Sequence, residues 1–425
     1  MKIAIITDMH IGVRGDSKIF LDHQERFFSE VFFPYIDEHN IKTVLDLGDT
    51  FDRRKYINYV TLSRAKKFFF DQLASRNIEY KAIVGNHSVY YTNTNEVNSM
   101  DLLLKEYDNF TVYENEPVEL TFGSTNVIMV PWITKTNSET CLEAIRKSNA
   151  HICMGHFDIV GFEMLKGAIC DHGLSKELFG TYEQVYSGHF HHPSEYGNIN
   201  YLGAPYEMTW SDYQGKRGFR VLDTENRELE WVLNPLAIYH KIDYDDKDMT
   251  IEDIANLDMT NIKDAYIKVI VKNRTNPYIY DLFINKLTDA GAADVKSIDD
   301  SLDLEDSGVE DILDETKDTK DILHDYVRSI DTKADKVRIK ELIDELYIEA
   351  QNNAWTTVTL DQNRTTLISG TNGSGKSTIL DAIVFALYGK AFRKVNKNQL
   401  INTINGKETL VEIKFKIGKN AFLIR

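Results

Sequence analysis

Ile3-Ala4-Ile5-Ile6-Thr7-Asp8-Met9-His10 is an apolar run that ends, within three residues, on a carboxylate and an imidazole. Four further segments repeat the pattern. Residues 43–47 run into Gly48-Asp49, 80–84 into Gly85-Asn86-His87, 150–154 into Gly155-His156, and 183–187 into Gly188-His189-Phe190-His191. Short apolar runs of this kind read as buried strands. In a layered α/β fold the strand ends converge on one rim, where such proteins bind ligands. The spacing therefore predicts five strands that deliver polar side chains to one place.

Seven groups stand at those ends: Asp8, His10, Asp49, Asn86, His156, His189 and His191. Carboxylate, amide and imidazole together suit manganese, iron or zinc better than calcium. Two such ions roughly 3.5–4 Å apart are a standard device for splitting phosphate esters. A carboxylate can donate both oxygens, which makes Asp49 the natural bridge. Asp8, His10 and His191 then complete one ion, and Asn86, His156 and His189 the other. The neutral Asn86 limits negative charge and leaves the ions Lewis-acidic, and a bridging water, its pKa lowered from 15.7 to about 7, is the nucleophile. His87 adjoins a ligand and is expected to face the ions without being needed by them. That suits a general acid for the departing sugar oxygen, or a group that stabilises the phosphorane. A lone histidine after a strand is ordinarily a satisfied core or surface residue. His23, His39, His151, His172, His192, His240 and His324 are read that way.

The ordered pattern D-x-H, G-D, G-N-H, G-H, G-H-x-H resembles that of the calcineurin-like metallophosphoesterases. Within them the chain looks like the SbcD type, the nuclease subunit of the double-strand-break repair complex, on the branch of the T-even-like phage recombination endonucleases. Thr7-Asp8-Met9-His10-Ile11-Gly12, Leu47-Gly48-Asp49-Thr50-Phe51-Asp52 and Tyr186-Ser187-Gly188-His189-Phe190-His191 carry the likeness, with Tyr201-Leu202-Gly203-Ala204-Pro205 and Lys216-Arg217-Gly218-Phe219 closing it. It covers roughly residues 1–350. The resemblance implies a metallophosphoesterase β-sandwich flanked by helices, DNA as a substrate, and a homodimer formed through helices of the metal domain. Two positions depart from the family. Ser88 stands where an acidic residue commonly follows G-N-H, and Asp52-Arg53 where related enzymes have a histidine.

With 425 residues, 42% of them apolar, the chain has material for two or three domains. The start reads as a strand rather than a signal peptide, and no apolar run reaches 18 residues, so a soluble cytoplasmic protein without a membrane span is expected. Cys141, Cys153 and Cys170 have no metal-binding spacing and read as free thiols. A net charge of −17 argues against nucleic acid until its distribution is considered. Residues 294–325 hold 13 acidic residues against three lysines, −10 in one stretch, and leave −7 elsewhere. An acidic run of this kind is ordinarily a solvated linker.

These shifts divide the chain into a nuclease domain (1–235), a small α/β cap (236–298), an acidic linker with a helical segment (299–352) and a C-terminal lobe (353–425). Alternation of strands with helices at 21–38 and 62–75 marks the first. A strand at 265–271 and a helix at 278–290 mark the cap, which the resemblance identifies as DNA-contacting. Ile322, Leu323, Tyr326, Val327 and Ile330, then Ile339, Ile343, Leu346 and Ala350, recur at helical spacing. In the resembled family this region docks on the base of a coiled-coil ATPase arm.

Gly370-Thr371-Asn372-Gly373-Ser374-Gly375-Lys376-Ser377 fits the P-loop pattern between a strand at 365–369 and a helix at 378–388. Gly370, Asn372, Gly373, Gly375, Lys376, Ser377 and Thr378 are the candidate nucleotide-binding residues, for ATP with Mg²⁺. The continuation Ile379-Leu380-Asp381-Ala382-Ile383-Val384-Phe385-Ala386-Leu387-Tyr388-Gly389 resembles the SMC-like, SbcC-type ATPase that partners such nucleases. This lobe reads as a truncated, partial ATPase without a Walker B carboxylate or signature loop. The expectation is nucleotide binding without hydrolysis by this chain alone.

Taken together, the sequence predicts a Mn²⁺-dependent DNA exonuclease and endonuclease for recombination and repair. A metallophosphatase of other phosphoesters would use the same metals but would need neither cap, helical segment nor ATPase lobe. A non-catalytic DNA scaffold would have a broken ligand set, and none of the seven residues is missing.

Overall fold

Side chains alternate along a strand, so a strand covered on both faces is apolar throughout. Lys2–Ile6 shows this directly. Ile3 and Ile5 enter a core with Val127, Met129, Ile152, Met154 and Tyr186, while Ala4 and Ile6 face a core with Phe27, Phe28, Phe32, Phe69 and Phe70. The computed structural model describes residues 1–165 and 168–299 and, beyond these, only 327, 339, 340, 342, 383, 384, 413–417 and 420–424. The chain falls into two compact units, Met1–Thr316 with Arg328–Ile330, and Lys317–Val327 with Asp331–Arg425.

The first unit is a layered α/β fold built on two six-stranded sheets. One runs, in spatial order, Leu229–Leu233, Gly218–Asp223, Lys2–Ile6, Thr43–Asp46, Glu79–Ile83 and Phe110–Tyr113. Its last four members are parallel, and the first two add antiparallel strands at one edge. The other runs Ser194–Tyr196, Ile199–Tyr201, Gln184–Gly188, Ile152–His156, Thr125–Val130 and Val118–Phe122. The core that holds Ile3 and Ile5 draws on both sheets. Two further cores seal their outer faces. On the first sheet they are aromatic, with Phe69 meeting Phe28 at 4.6 Å between ring centroids. On the second, Cys141 and Ile145 of helix Ser138–Lys147 pack with Val130, Cys153 and Val185.

Parallel strands need crossovers, and helices supply them. Lys18–Phe27, Phe28–Phe32 and Phe33–Glu38 form one helical run with a π-helical middle, and Tyr59–Ala65, Lys66–Phe70 and Asp71–Ser75 form a second. Both agree with the helices expected at 21–38 and 62–75. After Leu233 the chain leaves the sandwich. Tyr239–Asp245, Tyr266–Asn273 and Asp294–Asp299 make a separate three-stranded parallel sheet. Helix Pro277–Asp289 covers it through Ile279, Tyr280, Phe283 and Leu287. Glu207 secures the junction by accepting from the Ile238 and Tyr239 amides at 2.8 and 3.1 Å. In the C-terminal part, Ile413–Ile417 pairs antiparallel with Asn420–Ile424. The expected P-loop and most of the expected helical segment lie outside the described residues. Among the described residues no helix is long and apolar enough to cross a membrane, and the three cysteines are free and buried.

His23 lies on the buried face of the first crossover, in helix Lys18–Phe27. It is 5% exposed, its Nε2 has no hydrogen-bond partner, and its ring packs edge-on to Tyr206. Burial, reinforced by Arg26, pushes its pKa down to about 4. An unfolded chain, with a histidine pKa near 6.5, binds the proton first as pH falls. His23 should therefore cost stability from about pH 6.5 downward, at about 1.4 kcal/mol per pH unit, levelling near pH 4. Denaturant melts of metal-free protein at pH 7 and pH 5 should show a steeper loss for the wild type than for His23→Leu. Equal losses would mean that His23 is not neutral in the fold.

Candidate metal centre

All five expected strands end at one place. Lys2–Ile6 delivers Asp8 and His10, Thr43–Asp46 delivers Asp49, and Glu79–Ile83 delivers Asn86 and His87. The second sheet brings His156 at the end of Ile152–His156, with His189 and His191 just beyond Gln184–Gly188. Carbonyl partners lace the ends together: the Asp8 amide donates to Gly48 and the His10 amide to Asp49, each at 2.9 Å. The His189 amide then donates to both Asp8 oxygens, at 3.0 and 3.1 Å, which ties one sheet to the other.

Local backbone geometry is unusual here. Asp8, His10, Asp49 and His189 all have positive φ, at 51°, 40°, 57° and 88°. L-residues adopt this left-handed region rarely, at a cost on the order of 1–3 kcal/mol each, and such strain gathers at functional sites. Gly85 shows how tight the packing is, because a Cβ there would collide with the Asp49 carboxylate.

The donor atoms form two groups. Asp8, His10 and His191 offer ligand atoms within 4.8 Å of one another, and so do Asp49, His156 and His189. His191 Nε2 faces His10 Nε2 at 3.0 Å. In the second group, Asn86 Oδ1 lies 3.0 Å from His156 Nε2 and 3.1 Å from His189 Nδ1. The Asp49 oxygens are divided in use. Oδ1 accepts from the His87 amide at 2.8 Å, whereas Oδ2 lies 3.1 Å from His156 Nε2 and 3.8 Å from His10 Nε2. One oxygen rather than two therefore faces both groups.

Asp8 and Asp49 are 0% and 1% exposed, and a buried carboxylate needs countercharge. Burial alone would raise the Asp49 pKa, but His156, His87 and His10 hold it well below the usual carboxylate range. Burial likewise opposes charge on His156, yet Asp49 and then Asp8 lift that imidazole to about 9. His191 is pushed down by burial and by the neighbouring His10 and His87. Two oxygen-bearing carboxylates, one amide and four imidazoles with nitrogens turned inward are a donor set that fits two borderline divalent ions.

His87 joins the same cluster, within 4.8 Å of His10 and Asp49 ligand atoms, with its ring edge-on to His10. Its Nδ1 lies against the Asp52 carbonyl at 2.5 Å. The backbone supports His87, and Ser88 is buried with its hydroxyl unpartnered.

Three carboxylates escaped the sequence reading. Asp46 accepts from the Gly48 amide at 2.9 Å, from Thr50 Oγ1 at 2.6 Å and from the Tyr80 hydroxyl, and so shapes the turn that carries Asp49. Asp52 Oδ1 lies 3.3 Å from His10 Nδ1. Asp158 lies against His189. The spacing Asp46-x-x-Asp49-x-x-Asp52 was the available signal for the first two. Trp132 was also missed; its ring packs 5.2 Å from His189 and 5.8 Å from His156.

Residues 1–330 match the family model for calcineurin-like phosphoesterase, and residues 348–424 one described as AAA domain. Exonuclease subunit 1 of Enterobacteria phage T4 is 31% identical over 356 residues, 82% of this chain and 99% of that protein. The SbcD component of the SbcCD nuclease of Staphylococcus epidermidis is 23% identical over 331 residues, 68% of this chain and 81% of that one. Exonuclease subunit 2 of phage T4 is 50% identical over 68 residues, which are 16% of this chain but 12% of that protein.

The position of Asp49 Oδ2 leads to a direct expectation. Asp49→Ala should lower the number of Mn²⁺ ions bound from two to one or none, as read by titration calorimetry. Gly85→Ala, which displaces the same carboxylate, should act in the same direction. Two ions bound with native affinity by Asp49→Ala would remove it from the shared position.

Proposed function

The chain belongs to the calcineurin-like phosphoesterase family, and from that premise we propose that it is the nuclease subunit of a DNA recombination and repair complex. As a family member it is a metal-dependent hydrolase of phosphoesters. The finer reading is a Mn²⁺-dependent exonuclease and endonuclease acting on DNA. The observation that carries it is the likeness to an exonuclease subunit along 99% of that protein's length, cap included.

Asp8, His10 and His191 would hold one ion, Asn86, His156 and His189 the other, with Asp49 Oδ2 shared. Bound there, two divalent ions supply Lewis acidity toward a phosphate oxygen and acidify a water to near neutrality. The chain's own side chains do the rest. The Asp52 carbonyl takes the Nδ1–H of His87, which assigns to Nε2 the exchange of a proton with the departing sugar oxygen. Burial of the surrounding groups keeps bulk water from competing for that proton.

An SMC-like ATPase is the proposed partner. Support comes from the 68 residues that resemble exonuclease subunit 2, and from the AAA-domain match over residues 348–424, which include the P-loop pattern. A homodimer is the proposed assembly. Tyr59, Val60 and Leu102, on helices Tyr59–Ala65 and Ser99–Leu104, are exposed at 87%, 64% and 64% and suit coverage by a second copy.

The deciding assay sets end-labelled duplex and single-stranded DNA beside a phosphate monoester, with Mn²⁺. DNA cleavage is expected to dominate, and preferential turnover of the monoester would instead establish the metallophosphatase reading. In the same assay His87→Ala should retain both ions and lose cleavage by about 10²–10⁴-fold. Loss of an ion in that variant would make His87 a ligand.

A separate expectation concerns the P-loop. ATP turnover by the purified chain should not exceed background, and Lys376→Ala should leave Mn²⁺-dependent cleavage unchanged. Steady hydrolysis that disappears in Lys376→Ala would overturn the assignment of ATPase function to a partner.

A further inference from the structure

Asp158 lies two residues beyond His156 and belongs to neither donor group, yet it meets one of the ligands. Its Oδ1 is 2.8 Å from His189 Nε2, while His189 Nδ1 faces Asn86 Oδ1 at 3.1 Å. The two side chains are only 25% and 17% exposed. A neutral imidazole offers a lone pair from one nitrogen only when the other carries the hydrogen, so the partner of the second nitrogen decides which atom faces an ion.

His156 meets the same requirement differently. Its Nδ1 lies 2.7 Å from the Leu47 carbonyl, which turns Nε2 toward Asn86 and Asp49. The two histidines of one donor group therefore present opposite nitrogens. One is set by a neutral carbonyl, the other by a carboxylate. The backbone that carries this carboxylate is itself held from behind. The Leu174 amide donates to the Asp158 carbonyl at 2.8 Å, and Gly173, with φ +99°, leaves no room for a Cβ against Asp158.

We propose that Asp158 is a positioning residue for the ion of the Asn86, His156 and His189 group. It accepts the Nε2–H of His189, fixes Nδ1 as the ion-facing lone pair and makes that imidazole a stronger donor. The inference rests on the reading of these three residues as ligands. Asp158 is also within ligand reach of Cys170 and His172. Those two are otherwise engaged: Cys170 Sγ donates to the His172 carbonyl at 3.1 Å, and His172 Nδ1 pairs with Asp171 at 3.1 Å.

The test is titration of wild type, Asp158→Ala and Asp158→Glu with Mn²⁺, by calorimetry and electron paramagnetic resonance, with thermal melts in chelator. Asp158→Ala should weaken one of the two ions by about 10–100-fold, the usual effect of losing such a partner, and leave the other unchanged. The metal-free melting temperature should fall only by the small amount expected for one lost hydrogen bond, and Asp158→Glu should restore most of the lost affinity. Unaltered affinities, or a loss shared equally by both ions, would overturn the proposal. So would a third ion in the wild type that disappears with Asp158→Ala, because it would assign the carboxylate to Cys170 and His172. A wild type that binds fewer than two ions would instead refute the ligand set on which the proposal stands.

Discussion

Two buried carboxylates, Asp8 and Asp49, set the terms for the rest of the catalytic domain. Neither can be tolerated in a protein interior without compensating positive charge and hydrogen-bond donors. The fold supplies the donors through backbone amides, from His189 to Asp8 and from His87 to Asp49. It supplies the charge through histidines brought from both sheets. The sandwich has to close for this to happen, because His156, His189 and His191 come from the second sheet and the carboxylates from the first. Apolar packing between Ile3, Ile5, Ile152 and Met154 thus works toward the same geometry as the polar network above it. Strained φ values at four of these residues show that local backbone preference yields to that combined demand.

The legible part of the sequence was its short apolar runs. Unbroken apolar runs identify strands covered on both faces, and the polar residue after each run marks the rim. Layer architecture and candidate donors could be read for that reason. The supporting shell was hidden for equally physical reasons. Asp46 sits inside a strand and looks like an interruption of it, although it holds the turn before Asp49. Leu47 orients His156, and Asp52 orients His87, through main-chain carbonyls that any residue would provide. A side-chain pattern contains no trace of such contacts. The division of labour between the two Asp49 oxygens likewise depends on coordinates alone.

The negative charge of the chain bears on the proposed substrate less than its total suggests. The excess is concentrated in residues 294–325, from the last strand of the cap onward, whereas the catalytic rim carries Arg53, Arg54 and Lys55 in a row. These basic residues are not equivalent. Arg53 Nε lies 3.3 Å from Asp16 and its guanidinium sits over the Tyr56 ring, while Lys55 is exposed. On the proposed substrate, Lys55 would thus be freer to meet a phosphate backbone than Arg53, which is engaged within its own domain. Sequence alone weighs the three alike, since charge is countable and engagement is not.

Arg54 shows what the rest of that basic stretch does. Its Nε donates to the Val89 carbonyl at 3.0 Å, two residues after His87, while the Asp52 carbonyl, two residues before Arg54, meets His87 Nδ1. The loops that follow the second and third parallel strands thus run side by side, joined at 52 with 87 and at 54 with 89. The proposed proton donor is fixed by this pairing of loops and not by a side chain at position 88. A serine there is consequently compatible with an oriented His87. That support comes from the first sheet's own loops, the ones that also carry Asp49 and Asn86 to the rim.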